Sequence, residues 1–114
     1  MHNACVVIAG GSGFLGSHMV ELFAKQKIFV IVLQRIAKHL TEFDHFHDVK
    51  VLTYESFEDY ILQRQHFVYG IVNCTVQYSG KEEEIHNTNV ELPLKLLKWA
   101  QDYKSNYFVT FDTF

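Results

Sequence analysis

Residues Ala4 to Gly16, which read Ala-Cys-Val-Val-Ile-Ala-Gly-Gly-Ser-Gly-Phe-Leu-Gly, contain the strongest structural signal in this chain. Their first part, Ala4–Ala9, is a continuous apolar run, which is typical of a strand buried on both faces of a parallel sheet. The glycine cluster after it satisfies both Gly-x-x-Gly-x-x-Gly and Gly-x-Gly-x-x-Gly. An amphipathic helix is predicted over Phe14–Lys27, because apolar residues recur there at steps of three and four. The segment therefore predicts a buried strand, a tight glycine turn and a helix.

The glycine turn is suited to holding a phosphate group close to the backbone. Glycine permits a positive φ and a close approach of pyrophosphate, and the first amides of the following helix are unpaired donors at the positive end of its dipole. A mononucleotide P-loop is disfavoured, because Ser17 and His18 stand where that loop requires Lys and then Ser or Thr. A turn that only reverses the chain is the remaining alternative. The predicted dinucleotide-binding residues of this turn are Gly10, Gly13, Phe14, Leu15 and Gly16.

Beyond the glycine turn, predicted strands alternate with predicted helices. Such alternation requires right-handed crossovers and a parallel sheet that helices cover on both faces. The predicted fold class is therefore α/β, a doubly wound parallel sheet of the Rossmann type, whose ligand binds beyond the carboxyl ends of the strands. The predicted elements are the strands Phe29–Leu33, Val49–Tyr54, Phe67–Cys74 and Tyr107–Phe111 and the helices Phe57–Gln65 and Ile85–Tyr103.

Composition and charge restrict the class of protein. A chain of 114 residues with 48% hydrophobic residues is enough for one globular domain or part of one. The formal net charge of −3 gives no basic field, which argues against nucleic acid and anionic membrane as partners. No apolar run approaches the roughly 20 residues that span a bilayer, and Met1-His2-Asn3 lacks the basic start of a signal peptide. A cytoplasmic protein is therefore predicted.

No metal site is predicted. Cys5 and Cys74 lie singly in apolar runs, which is typical of buried free thiols. The densest histidine cluster is His45-Phe46-His47, but no third ligand is located for it, so a solvated loop is favoured.

The residues that follow the second and third strands bear on the choice of dinucleotide. An acidic side chain at the end of the second strand would accept hydrogen bonds from the ribose 2′-hydroxyl of NAD. Here that strand is followed by Gln34, which is neutral, and Arg35, whose guanidinium can pair with a 2′-phosphate. The pattern favours NADP, with NAD as the open alternative. Tyr54, at the end of the third strand, is predicted to border the adenine.

Four segments carry a resemblance to a known family. The turn Ala9–Gly16 is similar to the signature Thr-Gly-x-x-Gly-Phe-x-Gly, with Ala in place of Thr. Ile71–Thr75 resembles the family's fourth strand, and Tyr107–Thr113 resembles the end of its fifth. Asn89–Pro93 is similar to the helix start Asn-Val-x-Gly-Thr, with Leu-Pro in place of Gly-Thr. The chain thus resembles the extended short-chain dehydrogenase/reductase family, the NAD(P)-dependent epimerases and dehydratases that act mostly on nucleotide sugars.

The resemblance implies roles for further residues. The backbone at Cys74 and Thr75 would lie along the nicotinamide ribose, and Asn89 would belong to the cofactor site. Thr113 would be a catalytic hydroxyl that hydrogen-bonds the reacting substrate oxygen. The family also uses a Tyr-x-x-x-Lys pair, whose Tyr is the general acid/base, on the helix after the fifth strand. This sequence has no Tyr with Lys four residues later.

The resemblance therefore implies that residues 1–114 are an incomplete dinucleotide-binding domain, truncated after the fifth strand and lacking the substrate lobe. The parent enzyme is expected to transfer hydride at a sugar carbon of a nucleotide-sugar substrate, and the fragment alone is expected to be inactive. An uncovered edge of the fifth strand and uncovered helix faces predict self-association or poor stability, and a homo-oligomer is expected. The alternative is a non-catalytic NADP-binding sensor or regulatory module, which needs no Tyr-Lys pair.

Overall fold

The chain alternates strands and helices, and the computed structural model describes residues 4–11, 13–35, 43–75 and 80–111. The strands are β1 (Ala4–Ala9), β2 (Phe29–Gln34), β3 (Val49–Thr53), β4 (Phe67–Asn73) and β5 (Tyr107–Thr110). The helices are α1 (Phe14–Lys25), α2 (Tyr54–Arg64), α3 (Glu82–His86) and α4 (Leu92–Asp102), with a π-helical segment, Asn87–Glu91, between the last two.

The strands form one parallel sheet in the order β3-β2-β1-β4-β5. β1 is central, and its last residue, Ala9, lies in register with Leu33 of β2 and Asn73 of β4. The strand order reverses between β1 and β4, which is the point where open α/β sheets bind their ligands. The predicted class, a doubly wound parallel sheet of the Rossmann type, is confirmed.

Each face of the sheet has its own hydrophobic core, because successive strand residues point to opposite faces. On one face, Val7 belongs to a cluster with Phe57 of α2 and Trp99 of α4, whose ring centroids are 4.6 Å apart. On the other face, Ile8 belongs to a cluster with Val20 of α1. Helices on both faces explain why the central strands are continuous apolar runs rather than alternating ones.

Two helix boundaries differ from the predicted ones because of local backbone geometry. α1 ends before its predicted end, because Lys27 has a φ of 62° and is not helical. α2 begins at Tyr54, earlier than predicted, because Thr53 caps it and accepts a hydrogen bond from the Ser56 N–H at 3.3 Å. Tyr54 is therefore the first residue of a helix and not the last residue of β3. The other strand ends move by one residue at most.

The predicted helix Ile85–Tyr103 begins earlier, at Glu82, and is interrupted in its first half. In the π-helical segment the Leu92 N–H donates to the Asn87 carbonyl, five residues before it. Pro93 follows, and in a regular α-helix it would lack a hydrogen bond and its ring would clash with the carbonyl four residues earlier. The wider π turn accommodates this proline at the start of α4.

Within the described ranges, no helix is long and apolar enough to cross a membrane. The same residues contain no group of three or more His, Cys, Asp or Glu side chains that could hold a metal ion. Cys5 is a buried free thiol, as predicted, and burial raises its pKa to about 12. Cys74 is also a free thiol but only half-buried, because it lines the cleft described below.

Candidate functional site

A cleft of about 580 Å³ opens at the carboxyl ends of β1, β2 and β4, where the strand order reverses. Its walls come from the glycine turn, the end of β2, the first residue of α2, the turn after β4 and the region around the π-helical segment. Parallel strands bring these segments together because all of them follow carboxyl ends on the same edge of the sheet. The residues predicted from the sequence that line this cleft are Gly10, Gly13, Phe14, Leu15, Gln34, Arg35, Tyr54, Cys74 and Thr75.

Gly10 and Gly16 are both required by the packing of the protein itself. Gly10 has a φ of +80°, and a Cβ there would lie 2.9 Å from the Cys74 carbonyl carbon and 3.0 Å from Thr75 Cγ2. Gly16 is buried in the first turn of α1 and does not line the cleft. A Cβ at Gly16 would lie 1.9 Å from the Gly10 carbonyl oxygen. Both positions therefore let the helix start directly against the turn.

Gly13 is different, because the protein leaves room for a side chain there. The nearest atom to a Cβ at Gly13 would be the Gly10 carbonyl oxygen, at an ordinary contact distance of 3.6 Å. Its φ of −77° and ψ of 174° are open to any residue. Gly13 is exposed and lines the cleft, so the space that it leaves empty is available to a ligand.

The start of α1 offers backbone donors to this space. The first hydrogen bond of the helix runs from the Ser17 N–H to the Gly13 carbonyl at 2.9 Å. The amides of Phe14, Leu15 and Gly16 come before this bond, and first-turn amides have no partner within their own helix. The first turn of α1 carries no acidic residue. The partial positive charge of the helix start therefore favours an anion such as a phosphate.

Gln34, Arg35 and Tyr54 form the wall on the β2 side of the cleft. None of the described residues that line the cleft is acidic, so this wall presents Gln34 and the Arg35 guanidinium to a ligand. Burial raises the pKa of Tyr54 to about 12, and the positive charge of Arg35 opposes this rise only in part. Tyr54 is therefore a neutral phenol over the physiological pH range, with a ring that can border a planar ligand.

Cys74 and Thr75 form the wall on the β4 side. The Cys74 N–H donates to the Ala9 carbonyl at 2.9 Å, which holds the turn after β4 against the end of β1. Burial raises the pKa of the Cys74 thiol to about 11, so the thiol is protonated near neutral pH. This wall therefore presents a neutral thiol and a hydroxyl next to the glycine turn.

The remaining predicted site residues have other positions. Asn89 is exposed in the π-helical segment and does not line the cleft, whereas its neighbour Thr88 does. Thr113 lies outside the residues that the structure describes. Phe111, just after β5, lines the cleft.

Sequence reasoning missed several residues of the cleft wall. Leu33 and Phe111 end predicted strands, and that position is the signal that identifies them as wall residues. The sequence does not identify Thr88 and Leu92 as wall residues, because the π turn changes the helical phase and therefore changes which side chains face the cleft. The missed wall residues are Leu33, Thr88, Leu92 and Phe111.

A parallel sheet of this strand order, with a glycine turn and a helix start at its switch point, defines the class of dinucleotide-binding Rossmann folds. Comparison with known proteins gives the family. The sequence profile of the NAD dependent epimerase/dehydratase family matches residues 6–113. The chain belongs to this family.

Individual relatives agree with the family assignment. CDP-abequose synthase of Salmonella typhimurium is 29% identical over an alignment 115 residues long, gaps included, which covers 96% of this chain and 38% of that protein. The fold is similar to Bordetella bronchiseptica WbmG in complex with NAD and UDP, with a TM-score of 0.77, 19% identity, and coverage of 94% of this chain and 36% of that chain. It is also similar to dTDP-glucose 4,6-dehydratase of Bacillus anthracis in complex with NAD, with a TM-score of 0.72, 20% identity, and coverage of 94% and 36%. The chain thus spans less than two fifths of the length of these relatives.

Proposed function

We propose that this chain is the cofactor-binding part of an NAD(P)-dependent oxidoreductase that acts on a nucleotide sugar by reversible hydride transfer at a sugar carbon. The observation that carries the proposal is the cleft at the switch point, where Gly13 leaves space in front of the first amides of α1. Such amides bind anions, and a glycine without a side chain lets a pyrophosphate come within hydrogen-bond distance.

Each wall of the cleft has a proposed part in binding the dinucleotide. Gly10 and Gly16 shape the turn, and the amides after Gly13 hold the pyrophosphate. The β2 side takes the adenosine half, with Tyr54 beside the adenine, and the β4 side takes the nicotinamide half, with Cys74 and Thr75 along its ribose. Thr88 and Leu92 are proposed as wall residues in place of Asn89, because they line the cleft.

We further propose that the cofactor is NADP in preference to NAD. The support is the wall formed by Gln34 and Arg35, which offers an amide and a cation where NAD-specific sites use a carboxylate. Replacing Arg35 by Ala should raise the Kd for NADP about tenfold and leave the Kd for NAD within about twofold, because only NADP carries the 2′-phosphate. Arg64→Ala is the matched control, since Arg64 lies over the Tyr60 ring at the far end of α2. Equal losses for both cofactors would contradict the role of Arg35, and a wild-type protein that binds NAD at least as tightly as NADP would contradict the preference.

The substrate and the catalytic groups are proposed from the relatives. CDP-abequose synthase takes its name from a CDP-sugar, and WbmG was solved with NAD and UDP, so a nucleotide sugar is the proposed substrate class. Thr113 is proposed to hydrogen-bond the reacting oxygen of the substrate. The substrate lobe and a Tyr-x-x-x-Lys pair are proposed to lie outside residues 1–114, which form the dinucleotide-binding unit. The nicotinamide supplies the hydride chemistry, and these residues bind and orient it.

The test is a pair of measurements on the full-length protein. Calorimetric titration with NAD and NADP should give saturable binding, which Gly13→Val should abolish. Incubation with CDP-, UDP- and dTDP-hexoses, followed by chromatography, should then show conversion of one of them. Binding without conversion would favour the alternative of a non-catalytic NADP-binding sensor. A chain that binds neither cofactor would contradict both functions.

A homo-oligomer in the cytoplasm is the proposed state of the protein, since NAD(P) and nucleotide sugars are cytoplasmic metabolites. The support for self-association is a row of apolar residues along the π-helical segment and α4, where Val90, Leu94 and Leu97 are 43%, 57% and 37% exposed. Contiguous exposed apolar patches mark interaction sites in soluble proteins. Light scattering after size-exclusion chromatography should give more than one copy, and Leu94→Glu should shift the mass toward one copy. A monomer at high concentration would contradict this proposal.

A further inference from the structure

Asn73 is the one buried polar side chain among the described residues, with an exposed fraction of 1%. It is the last residue of β4, and it lies in register with Ala9 on one side and Thr110 on the other. No other buried side chain of the described strands is polar, and a buried amide is costly unless its hydrogen bonds are satisfied. Its presence at this position therefore calls for a specific set of partners.

Both ends of the Asn73 amide have partners. Nδ2 donates to the Thr110 hydroxyl oxygen at 3.1 Å. Oδ1 accepts from the Thr75 backbone N–H at 3.1 Å and from the Thr75 hydroxyl at 2.6 Å. The opposite orientation of the amide would place its NH₂ group against the Thr75 N–H, so the backbone donor decides the orientation. One side chain thus links the end of β5 to the turn after β4.

The same turn contacts the glycine turn. A Cβ at Gly10 would lie 3.0 Å from the Thr75 methyl carbon and 3.0 Å from the Thr75 nitrogen, so Thr75 packs closely against Gly10. Thr75 lines the cleft, whereas Asn73 is behind it and does not. The Asn73 side chain therefore acts on the cleft through the position that it gives to Thr75, while its backbone carbonyl accepts from the Phe111 N–H at 3.1 Å whichever side chain it carries.

We propose that Asn73 is a positioning residue that holds the nicotinamide half of the cofactor cleft in its binding shape. The inference rests on the proposed function and adds to it a residue that touches no ligand. In a doubly wound sheet the two halves of a dinucleotide lie on opposite sides of the switch point. Thr75 lies on the β4 side and meets the glycine turn at Gly10, before the first amides of α1. A displaced Thr75 therefore disturbs the nicotinamide half, whereas the α1 amides and the β2 side, which hold the pyrophosphate and the adenosine, keep their own contacts.

The experiment compares two ligands that differ in that half, ADP and NAD, by calorimetric titration of the full-length protein. Asn73→Leu keeps the branched shape of the side chain and removes all three hydrogen bonds. It should raise the Kd for NAD about tenfold and leave the Kd for ADP within about twofold, which is the size expected for a lost buried hydrogen bond. Asn73→Ala should give the same ratio and replaces the Leu variant if that protein melts too early to titrate.

A matched control separates positioning from general stability. Thr110→Val removes only the bond to β5 and leaves both bonds between Asn73 and Thr75 in place. It should lower the melting temperature without changing the ratio of the two Kd values. A ratio that is unchanged in the Asn73 variants, or a ratio that Thr110→Val changes equally, would overturn the inference. Where the protein binds NADP alone, the same ratio is taken between 2′-phospho-ADP and NADP. A wild-type protein that binds neither NAD nor NADP would overturn the proposed function, and the inference with it.

Discussion

Replacement of Gly13 by alanine should weaken ligand binding without weakening the fold. The added Cβ would have its nearest protein atom at 3.6 Å, and the backbone angles of Gly13 suit an ordinary residue. Alanine at a helix N-cap costs up to about 1 kcal/mol relative to better caps, and a Gly-to-Ala change stabilises by about 0.4–1 kcal/mol through the unfolded chain. These contributions offset each other, so the free energy of unfolding should change by less than about 1 kcal/mol.

The effect on the ligand should be much larger. The methyl group would occupy the cleft in front of the amides of Phe14 and Leu15 and keep a pyrophosphate away from them. Loss of one hydrogen bond to a charged group costs about 1.5–3 kcal/mol, which is about tenfold to 150-fold in Kd. Gly13→Val, with more volume at the same point, should remove measurable binding.

Gly16→Ala is the matched control for this experiment. Its Cβ would lie 1.9 Å from the backbone oxygen of Gly10, which no side-chain rotation can relieve. Forced overpacking of this kind costs about 1–3 kcal/mol or more. Gly16→Ala should therefore have a lower melting temperature and weaker ligand binding, whereas Gly13→Ala should have weaker ligand binding only.

The assay is calorimetric titration of the full-length variants with NAD and NADP, together with thermal melting followed by circular dichroism. An unchanged Kd in a normally folded Gly13→Val protein would show that the glycine turn does not hold the pyrophosphate. An unchanged melting temperature in Gly16→Ala would show that the contact between α1 and the turn is looser than the structure indicates.

Three further predictions concern the thiols and a helix cap. Burial raises the Cys74 pKa from 9.0 to about 11, so its alkylation near neutral pH should be about 100-fold slower than that of a free thiol and should accelerate as the pH rises toward 11; rapid labelling of Cys74 at neutral pH would contradict this. The Cys5 pKa is raised from 9.0 to about 12, so above pH 9 the unfolded chain loses this proton first and the free energy of unfolding should fall by about 1.4 kcal/mol per pH unit up to pH 12. Urea unfolding at a series of pH values should show that this fall in the free energy of unfolding between pH 9 and pH 12 is absent from Cys5→Ala. Thr53→Ala should cost about 1 kcal/mol in the same assay through the lost cap of α2, whereas Thr53→Ser keeps the hydroxyl and should cost less.

Most of the sheet could be predicted from local sequence. Residues 5–9 and 30–33 are apolar because helices cover both faces of the sheet, and every residue of these two runs is buried. Part of the glycine turn is equally local, because glycine readily adopts the positive φ of Gly10 and because the close contact at Gly16 is with Gly10 and Gly11 of the same turn. Fold class, the position of the turn and its phosphate-binding interpretation therefore followed from the sequence.

Prediction from local sequence was less successful where two local preferences compete for the same residues. Tyr54 was predicted to end a strand, but the cap at Thr53 makes it the first residue of α2, and it still lines the cleft. The helical periodicity of Ile85–Tyr103 runs through Pro93 without a break, whereas in the structure a π turn lies just before this proline, and Thr88 rather than Asn89 lines the cleft. A single widened turn changes which side chain faces the ligand, and periodicity alone does not show where such a turn occurs.

The sequence by itself determined that this protein has alternating buried strands and covering helices, with a glycine turn suited to a dinucleotide, because these features arise from contacts between near neighbours. Only the tertiary structure decided that β4 lies beside β1, that Thr75 packs against Gly10, and that the Asn73 amide bonds to Thr110, thirty-seven residues away. These are contacts between segments that are distant in the chain, and they exist only once the sheet order is set. The cleft is formed by such contacts. Its residues could therefore be proposed one at a time from the sequence, but only the fold brings them together.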